Sequence, residues 1–307
     1  MSTAGDFADE QLAAYLAAPG PVGGADVQAI RRAIAARAGG RPRGPELESV
    51  RDMSVGGRPA RLYRPSTAAA GPLIVYLHGG GWTVGSIDSY DRVARRLADR
   101  SQASVLVPDY RLAPEHPWPA SVDDTVAVLG DLSDLGFPAA PVAVAGDSAG
   151  GTLATLACLR LRDAGEDLPA LQVLLYANTD LTGEHPSMTE KAHGYGLEAD
   201  GIRSFNANWV PDRDRWADPG VSPLHAPDLA GLPAALVVTA EHDPLRDEGE
   251  AYADRLLASG VAVELRREPG LVHNFLQLDE ISPACAAADR VADDIRRLLT
   301  VVHAHPV

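Results

Sequence analysis

Lysine is nearly missing from this chain, with Lys191 the only one among 307 residues. That shortage removes several chemistries at once. The glycine run at 79–81 is not followed by the Lys-Ser/Thr pair that holds nucleotide phosphates, and there is no Ser-x-x-Lys dyad and no second lysine for Schiff-base chemistry. Cysteine is also scarce. Cys158 and Cys285 lie far apart in predicted helices, without disulfide or metal-ligand spacing, and read as buried apolar fillers in a reducing cytoplasm. Long hydrophobic runs are absent, so no segment is expected to insert stably in a membrane, and residues 1–20 lack the basic and apolar regions of a secretory signal. Positive charge is outnumbered: 27 Lys and Arg against 42 Asp and Glu give a formal net charge of −15. Such a surface repels nucleic acid and anionic lipid, leaving a small molecule as the expected partner and the cytoplasm as the expected location.

What is present is ordinary for a soluble domain: 46% apolar residues, no repeat and no block of like charge. From about residue 48 onward, β-rich segments alternate with amphipathic helical ones. The strand candidates are 60–65, 72–78, 103–110, 141–147, 171–177, 234–240 and 261–268; the helix candidates are 88–101, 121–135, 148–164, 244–259 and 283–302. Near-continuous apolar strands alternating with helices imply an α/β fold, a mostly parallel central sheet flanked by helices on both faces. Two stretches break the rhythm. Residues 1–45 hold two helical patterns separated by the Pro/Gly-rich 19–24, and residues 180–222 form a long interruption carrying Tyr195, Phe205, Trp209 and Trp216. Both are expected to form a helical cap over the carboxyl ends of the strands, leaving 46–179 and 223–307 as the catalytic domain. The aromatics of the interruption are as readily explained by packing within the cap as by ligand contact.

The chemistry centres on Gly146-Asp147-Ser148-Ala149-Gly150, a G-x-S-x-G between a predicted strand and a predicted helix. A turn this sharp tolerates only small flanking residues and projects the serine at a helix N-terminus, where negative charge is favoured. A serine hydroxyl needs a base, and the base needs an orienting carboxylate. His273, in a loop after the last strand, can reach the strand ends. His116, His185, His193 and His225 fall in loops or cap, and His303 and His305 in the tail. Asp243 stands just past a strand and before Pro244, which also suits a helix cap; Glu241 and Asp247 compete with it. The order Ser148, Asp243, His273 is that of α/β-hydrolases. Attack on a carbonyl would create an oxyanion, for which the backbone N–H groups of Gly79, Gly80 and Ala149 are the expected donors, the choice among the three loop glycines being open by one residue. His78 is expected to brace that loop. Trp82 and Asp147 are expected to contact substrate.

These residues carry a resemblance. "HGGGW" (78–82), "PDYRLAPEHPWPA" (108–120), "GDSAGG" (146–151), "SPL" (222–224), "GLPAALVVTAEHDPLRDEG" (231–249) and the His273 loop resemble the hormone-sensitive-lipase family of α/β-hydrolases, also called bacterial esterase family IV, over residues 60–280. The resemblance implies an α/β-hydrolase fold with a helical cap and hydrolysis of short-chain acyl esters through an acyl-enzyme. It further implies no metal or organic cofactor and, often, a homodimer formed along the edge strand before the catalytic histidine. By position, Ser148 would be the nucleophile, Asp243 the orienter, His273 the base, and Gly79, Gly80 and Ala149 the oxyanion donors. Asp109 and Arg111 would brace the loops behind the site. Two positions depart from the family pattern: Asn274 stands where glycine follows the histidine, and Glu268-Pro269 where an aromatic residue is common. An amidase, formamidase or natural-product deacylase would use the same triad, and that alternative stays open. A receptor that has lost the histidine is disfavoured by His273.

Overall fold

The computed structural model describes residues 9–17, 26–41, 43–65, 71–132 and 141–304, with backbone alone for 302–304. The Pro/Gly-rich 19–24, the histidines His303 and His305 as side chains, and the end of the helix expected at 121–135 lie outside the described residues. Eight strands form one sheet: β1 (Ser49–Val55), β2 (Arg58–Arg64), β3 (Leu73–Leu77), β4 (Ser104–Pro108), β5 (Val142–Asp147), β6 (Leu171–Leu175), β7 (Ala234–His242) and β8 (Val263–Val272). Their order is β1-β2-β4-β3-β5-β6-β7-β8. The pairs β1–β2 and β2–β4 are antiparallel, and all pairs from β4 to β8 are parallel.

The parallel centre follows from composition. Every residue of β3, β4 and β6 is buried, because helices cover both faces. Helices α1 (Glu10–Ala17) and α2 (Val27–Gly39) precede the sheet; α3 (Asp91–Ser101), α4 (Ala120–Gly130) and α5 (Ala149–Ala164) follow its early strands. Helices α6 (Pro186–Glu190) and α7 (Ala199–Trp209) stand in the interruption between β6 and β7, and α8 (Arg246–Ala258) and α9 (Ser282–Ala304) complete the chain. One core layer joins Val122, Leu153, Leu156, Tyr252 and Leu256, from α4, α5 and α8, to one face of the sheet. The other joins Val93, Leu97, Val291 and Ile295, from α3 and α9, to the opposite face. Burying each such side chain contributes roughly 1.5–3 kcal/mol, which fixes the strand ends that carry the site.

Two strands depart from the sequence expectation. Strand β1, SVRDMSV, went unseen because an edge strand with half its residues solvated lacks an apolar run; the Gly56-Gly57 pair closing its hairpin was the available signal. Strand β8 runs four residues past the expected end at 268, through Pro269, which an outer strand tolerates because one side needs no ladder partner. Of the cysteines, Cys158 is buried as expected, whereas Cys285 is only half-buried and its thiol donates to the Asp279 carbonyl at 3.1 Å. Among the described residues no helix is long and apolar enough to cross a membrane.

Candidate active site

Ser148 sits between β5 and α5 with φ 52° and ψ −122°, a positive φ that an L-residue adopts only when its surroundings enforce it. They do so by close approach: a Cβ on Gly150 would stand 1.9 Å from the Leu77 carbonyl oxygen, so α5 docks against β3 only with glycine there. The Ser148 N–H donates to the Leu175 carbonyl at 2.9 Å, fixing the turn to β6.

His273 follows β8, with its Nε2 3.0 Å from Ser148 Oγ and its Nδ1 2.8 Å from Asp243 Oδ2. Asp243 is fully buried. Its carboxylate accepts from the imidazole, so Nδ1 carries the proton and Nε2 is left to accept from the serine hydroxyl. The other carboxylate oxygen takes the Leu245 N–H at 2.9 Å, at the start of α8, so the carboxylate cannot swing away. Neither competitor is placed at the histidine. Glu241 accepts the Gly270 N–H at 2.7 Å, and Asp247 accepts the Ser187 N–H at 2.8 Å while pairing with Arg246. Asn274, φ 66°, occupies a left-handed position, which asparagine tolerates better than any residue but glycine.

The glycine loop differs from expectation. The Gly79 N–H is committed, 2.9 Å from Asp147 Oδ1 and 3.0 Å from the Tyr90 hydroxyl, so Gly79 is not available as an oxyanion donor. The next two peptide units are pinned by their carbonyls. His78 Nδ1 lies 2.8 Å from the Gly79 oxygen, and the Thr83 and Val84 N–H groups donate to the Gly80 oxygen at 3.1 and 2.9 Å. In a trans peptide the N–H points opposite to the C=O, so the N–H groups of Gly80 and Gly81 face away from these partners. No acceptor for either, or for the Ala149 N–H at the start of α5, is found among the described residues. His78 braces the loop as a neutral ring: burial pushes it down to about 4, although its bond to Gly79 pulls the other way.

Asp147 stands in the cleft lining but is only 1% exposed; its carboxylate accepts from the hydroxyls of Tyr76 and Tyr90 at 2.9 and 2.8 Å as well as from Gly79, and so braces the loop. Trp82 lines the cleft but is buried, its ring stacked 4.0 Å from that of Trp209 at 7°, which fastens the glycine loop to α7. Of the four aromatics in the interruption, Tyr195, Trp209 and Trp216 are buried in packing, and Phe205 alone lines the cleft. Behind the site, Arg111 pairs with Asp124 at 2.7 Å, whereas the Asp109 carbonyl, not its carboxylate, accepts from Arg58.

Ser148, Ala149 and His273 line a cleft together with Ile30 and Ile34 of α2, Ile202 and Phe205 of α7, Leu245 and Val272; the whole cavity, about 1420 Å³, runs on past charged residues that include Arg37, Asp52, Arg61, Arg92 and Asp99. Among the described residues, no group of three or more His, Cys, Asp or Glu side chains is placed to hold a metal ion. The residues present can take a proton from a serine, return it to a leaving group and bind a developing anion.

A family model of the alpha/beta hydrolase fold matches residues 74–277. The chain belongs to the hormone-sensitive-lipase family of α/β-hydrolases. Among family members, it is 42% identical to the carboxylic ester hydrolase LipN of Mycobacterium tuberculosis, over 85% of this chain and 72% of that one. It is 43% identical to the carboxylesterase NlhH of the same organism, over 75% of each. The structure of the ester-hydrolase EH1AB1 from the metagenome of Lake Arreo, complexed with a bipyridine phosphonate derivative, aligns with a TM-score of 0.84 and 39% identity, covering 94% of this chain and 95% of that one.

Proposed function

We propose that this carboxylic-ester hydrolase cleaves short-chain acyl esters through an acyl-enzyme on Ser148. The observation that carries the reading is the unbroken line from Asp243 through His273 to Ser148, 2.8 and 3.0 Å, in a cleft whose lining also holds Gly80, Gly81 and Ala149. Ser148 Oγ attacks the ester carbonyl as its proton passes to His273 Nε2. The carbonyl oxygen, now an anion, is held by the N–H groups of Gly80, Gly81 and Ala149, each worth about 3–4 kcal/mol in the transition state. Collapse breaks the C–O bond and the alcohol leaves with the proton from Nε2. Water then gives its proton to Nε2, attacks the acyl carbon and releases the acid, returning the proton to Ser148. Asp243 keeps its hydrogen bond to Nδ1 and favours the imidazolium.

In this reading α1, α2 and the segment 180–222 cover the catalytic body, 46–179 and 223–307, as a cap. Its apolar lining, Ile30, Ile34, Ile202 and Phe205, suits neutral, compact esters. A homodimer along the outer edge of β8 and a cytoplasmic location belong to the same proposal. The test is a series of p-nitrophenyl esters of increasing chain length with wild type and Ser148→Ala. A maximum at about two to six carbons, with no turnover above background in the variant, is expected. A long-chain optimum or a fully active Ser148→Ala overturns the proposal.

A further inference from the structure

Asp147 has an environment unlike that of any other carboxylate in the site. It is the last residue of β5, adjoining the nucleophile, and is sealed from water with three donors converging on it. Oδ1 takes the Tyr76 hydroxyl and the Gly79 N–H, both at 2.9 Å, and Oδ2 takes the Tyr90 hydroxyl at 2.8 Å. The Tyr90 oxygen is itself 3.0 Å from the Gly79 nitrogen. A buried carboxylate is costly unless every lone pair it presents is answered, and here the answering groups come from β3, the loop that follows it and the residue before α3. The Gly79 peptide opens the loop whose next two N–H groups face the reacting carbonyl. Its orientation therefore depends on a side chain attached to the residue before Ser148.

The charge matters as well as the shape. Burial holds the Asp147 carboxyl above the usual carboxylate range, and Tyr90, Tyr76, the Gly79 N–H and the nearby His273 oppose that by favouring its ionised form. The titratable groups facing it are Tyr76, Tyr90, Tyr110, Tyr176 and His273. The four phenols are pushed far above their ordinary range by burial first and by Asp147 second, so they remain neutral hydroxyls. His273 is then the facing group that changes charge during turnover.

We propose that Asp147 is a positioning residue for the reaction: its ionised carboxylate ties the glycine loop to the nucleophile elbow and favours the protonated form of His273 that arises as Ser148 attacks. This rests on the roles proposed above for Ser148, His273 and the loop N–H groups. Asparagine at 147 keeps the size but removes the charge, and presents an NH2 group where a hydroxyl now donates. Phenylalanine at 90 keeps the charge but removes one donor to it and one acceptor for Gly79.

The experiment measures kcat and KM for p-nitrophenyl butyrate across pH in wild type, Asp147→Asn and Tyr90→Phe, with inhibition by a butyl trifluoromethyl ketone as a reporter of oxyanion binding. For Asp147→Asn, kcat falls about 10- to 100-fold, KM moves less than about threefold and inhibitor affinity weakens in parallel. The acid limb of its kcat/KM profile also shifts to lower pH by about half a unit or more, because the imidazolium has lost a nearby negative charge. Tyr90→Phe loses less activity and keeps the limb in place. A kcat/KM for Asp147→Asn within about twofold of wild type, or a loss with an unmoved limb, overturns the proposal. Should Asp147→Asn fail to fold by circular dichroism, the double variant Tyr76→Phe/Tyr90→Phe decides: full activity overturns the proposal, and a loss in kcat with matching loss of inhibitor affinity supports it. Activity in Ser148→Ala would sink the acyl-enzyme reading instead, so the two failures are distinguishable.

Discussion

Replacing Gly80 by alanine isolates the backbone's contribution to catalysis. Gly80 has φ +119°, and an added Cβ would stand 2.2 Å from the Val84 carbonyl oxygen and 3.0 Å from the Val84 side chain. Backbone oxygen at 2.2 Å cannot be accommodated by a rotamer change, so the loop itself must shift. The shift turns the Gly80 N–H away from the position of the oxyanion and loosens the turn that also aims Gly81. Loss of one oxyanion donor costs about 3–4 kcal/mol in the transition state, a fall of roughly 10²- to 10³-fold in kcat. The enforced positive φ adds about 1–3 kcal/mol of destabilisation, a fall of several degrees in Tm. KM should change little, since the ground-state carbonyl gains little from the hole. The assay is steady-state hydrolysis of p-nitrophenyl butyrate alongside thermal unfolding. Gly57→Ala supplies the control: that residue has φ +72° but open space around its Cβ, so it should lose stability and keep full kcat. A folded Gly80→Ala retaining kcat within about threefold of wild type would refute the assignment of the hole to this part of the loop.

Asp243→Asn should leave the fold intact and lower kcat by up to about 10⁴-fold, because an amide NH2 facing Nδ1 favours the wrong tautomer of His273; steady-state kinetics and circular dichroism check it. Trp209→Ala removes the ring stacked on Trp82 and should cost about 3–5 kcal/mol in urea unfolding. Stability should also depend on pH through His78, whose folded-state value of about 4 lies below its ordinary 6.5. Between those values the unfolded chain binds the proton and the folded chain does not, so this contribution is complete above pH 6.5 and lost as pH falls towards 4. It amounts to up to about 3 kcal/mol, read as the difference in pH-dependent unfolding between wild type and His78→Asn.

Legibility in the sequence followed burial and direction. Strands β3 to β7 were plain because burial on both faces leaves continuous apolar runs, and Ser148, Asp243 and His273 each stand at a strand exit in hydrolase order. Strand β1 was hidden because a half-solvated edge strand carries its signal in the Gly56-Gly57 turn, not in its own residues. The choice among the loop glycines stayed open in the sequence because the Gly79 N–H is claimed by Asp147 and Tyr90, partners 68 and 11 residues away that no local pattern reveals. Asp147 was expected to contact substrate, and nothing in the sequence signals that its carboxylate is turned to the hydroxyls of Tyr76 and Tyr90. His242 escaped notice altogether; it stacks on Tyr195 and lies 3.2 Å from Lys191, anchoring the interruption beside Asp243.

The acyl-enzyme itself is the most direct object to measure. Wild-type protein mixed with p-nitrophenyl butyrate and quenched with acid within the first turnovers should carry one butyryl group on the peptide that contains Ser148, released together with a burst of about one p-nitrophenol per active site. In Ser148→Ala both the adduct and the burst should vanish. Turnover by the wild type with no adduct on that peptide, or a butyryl group that persists in Ser148→Ala, would contradict the mechanism.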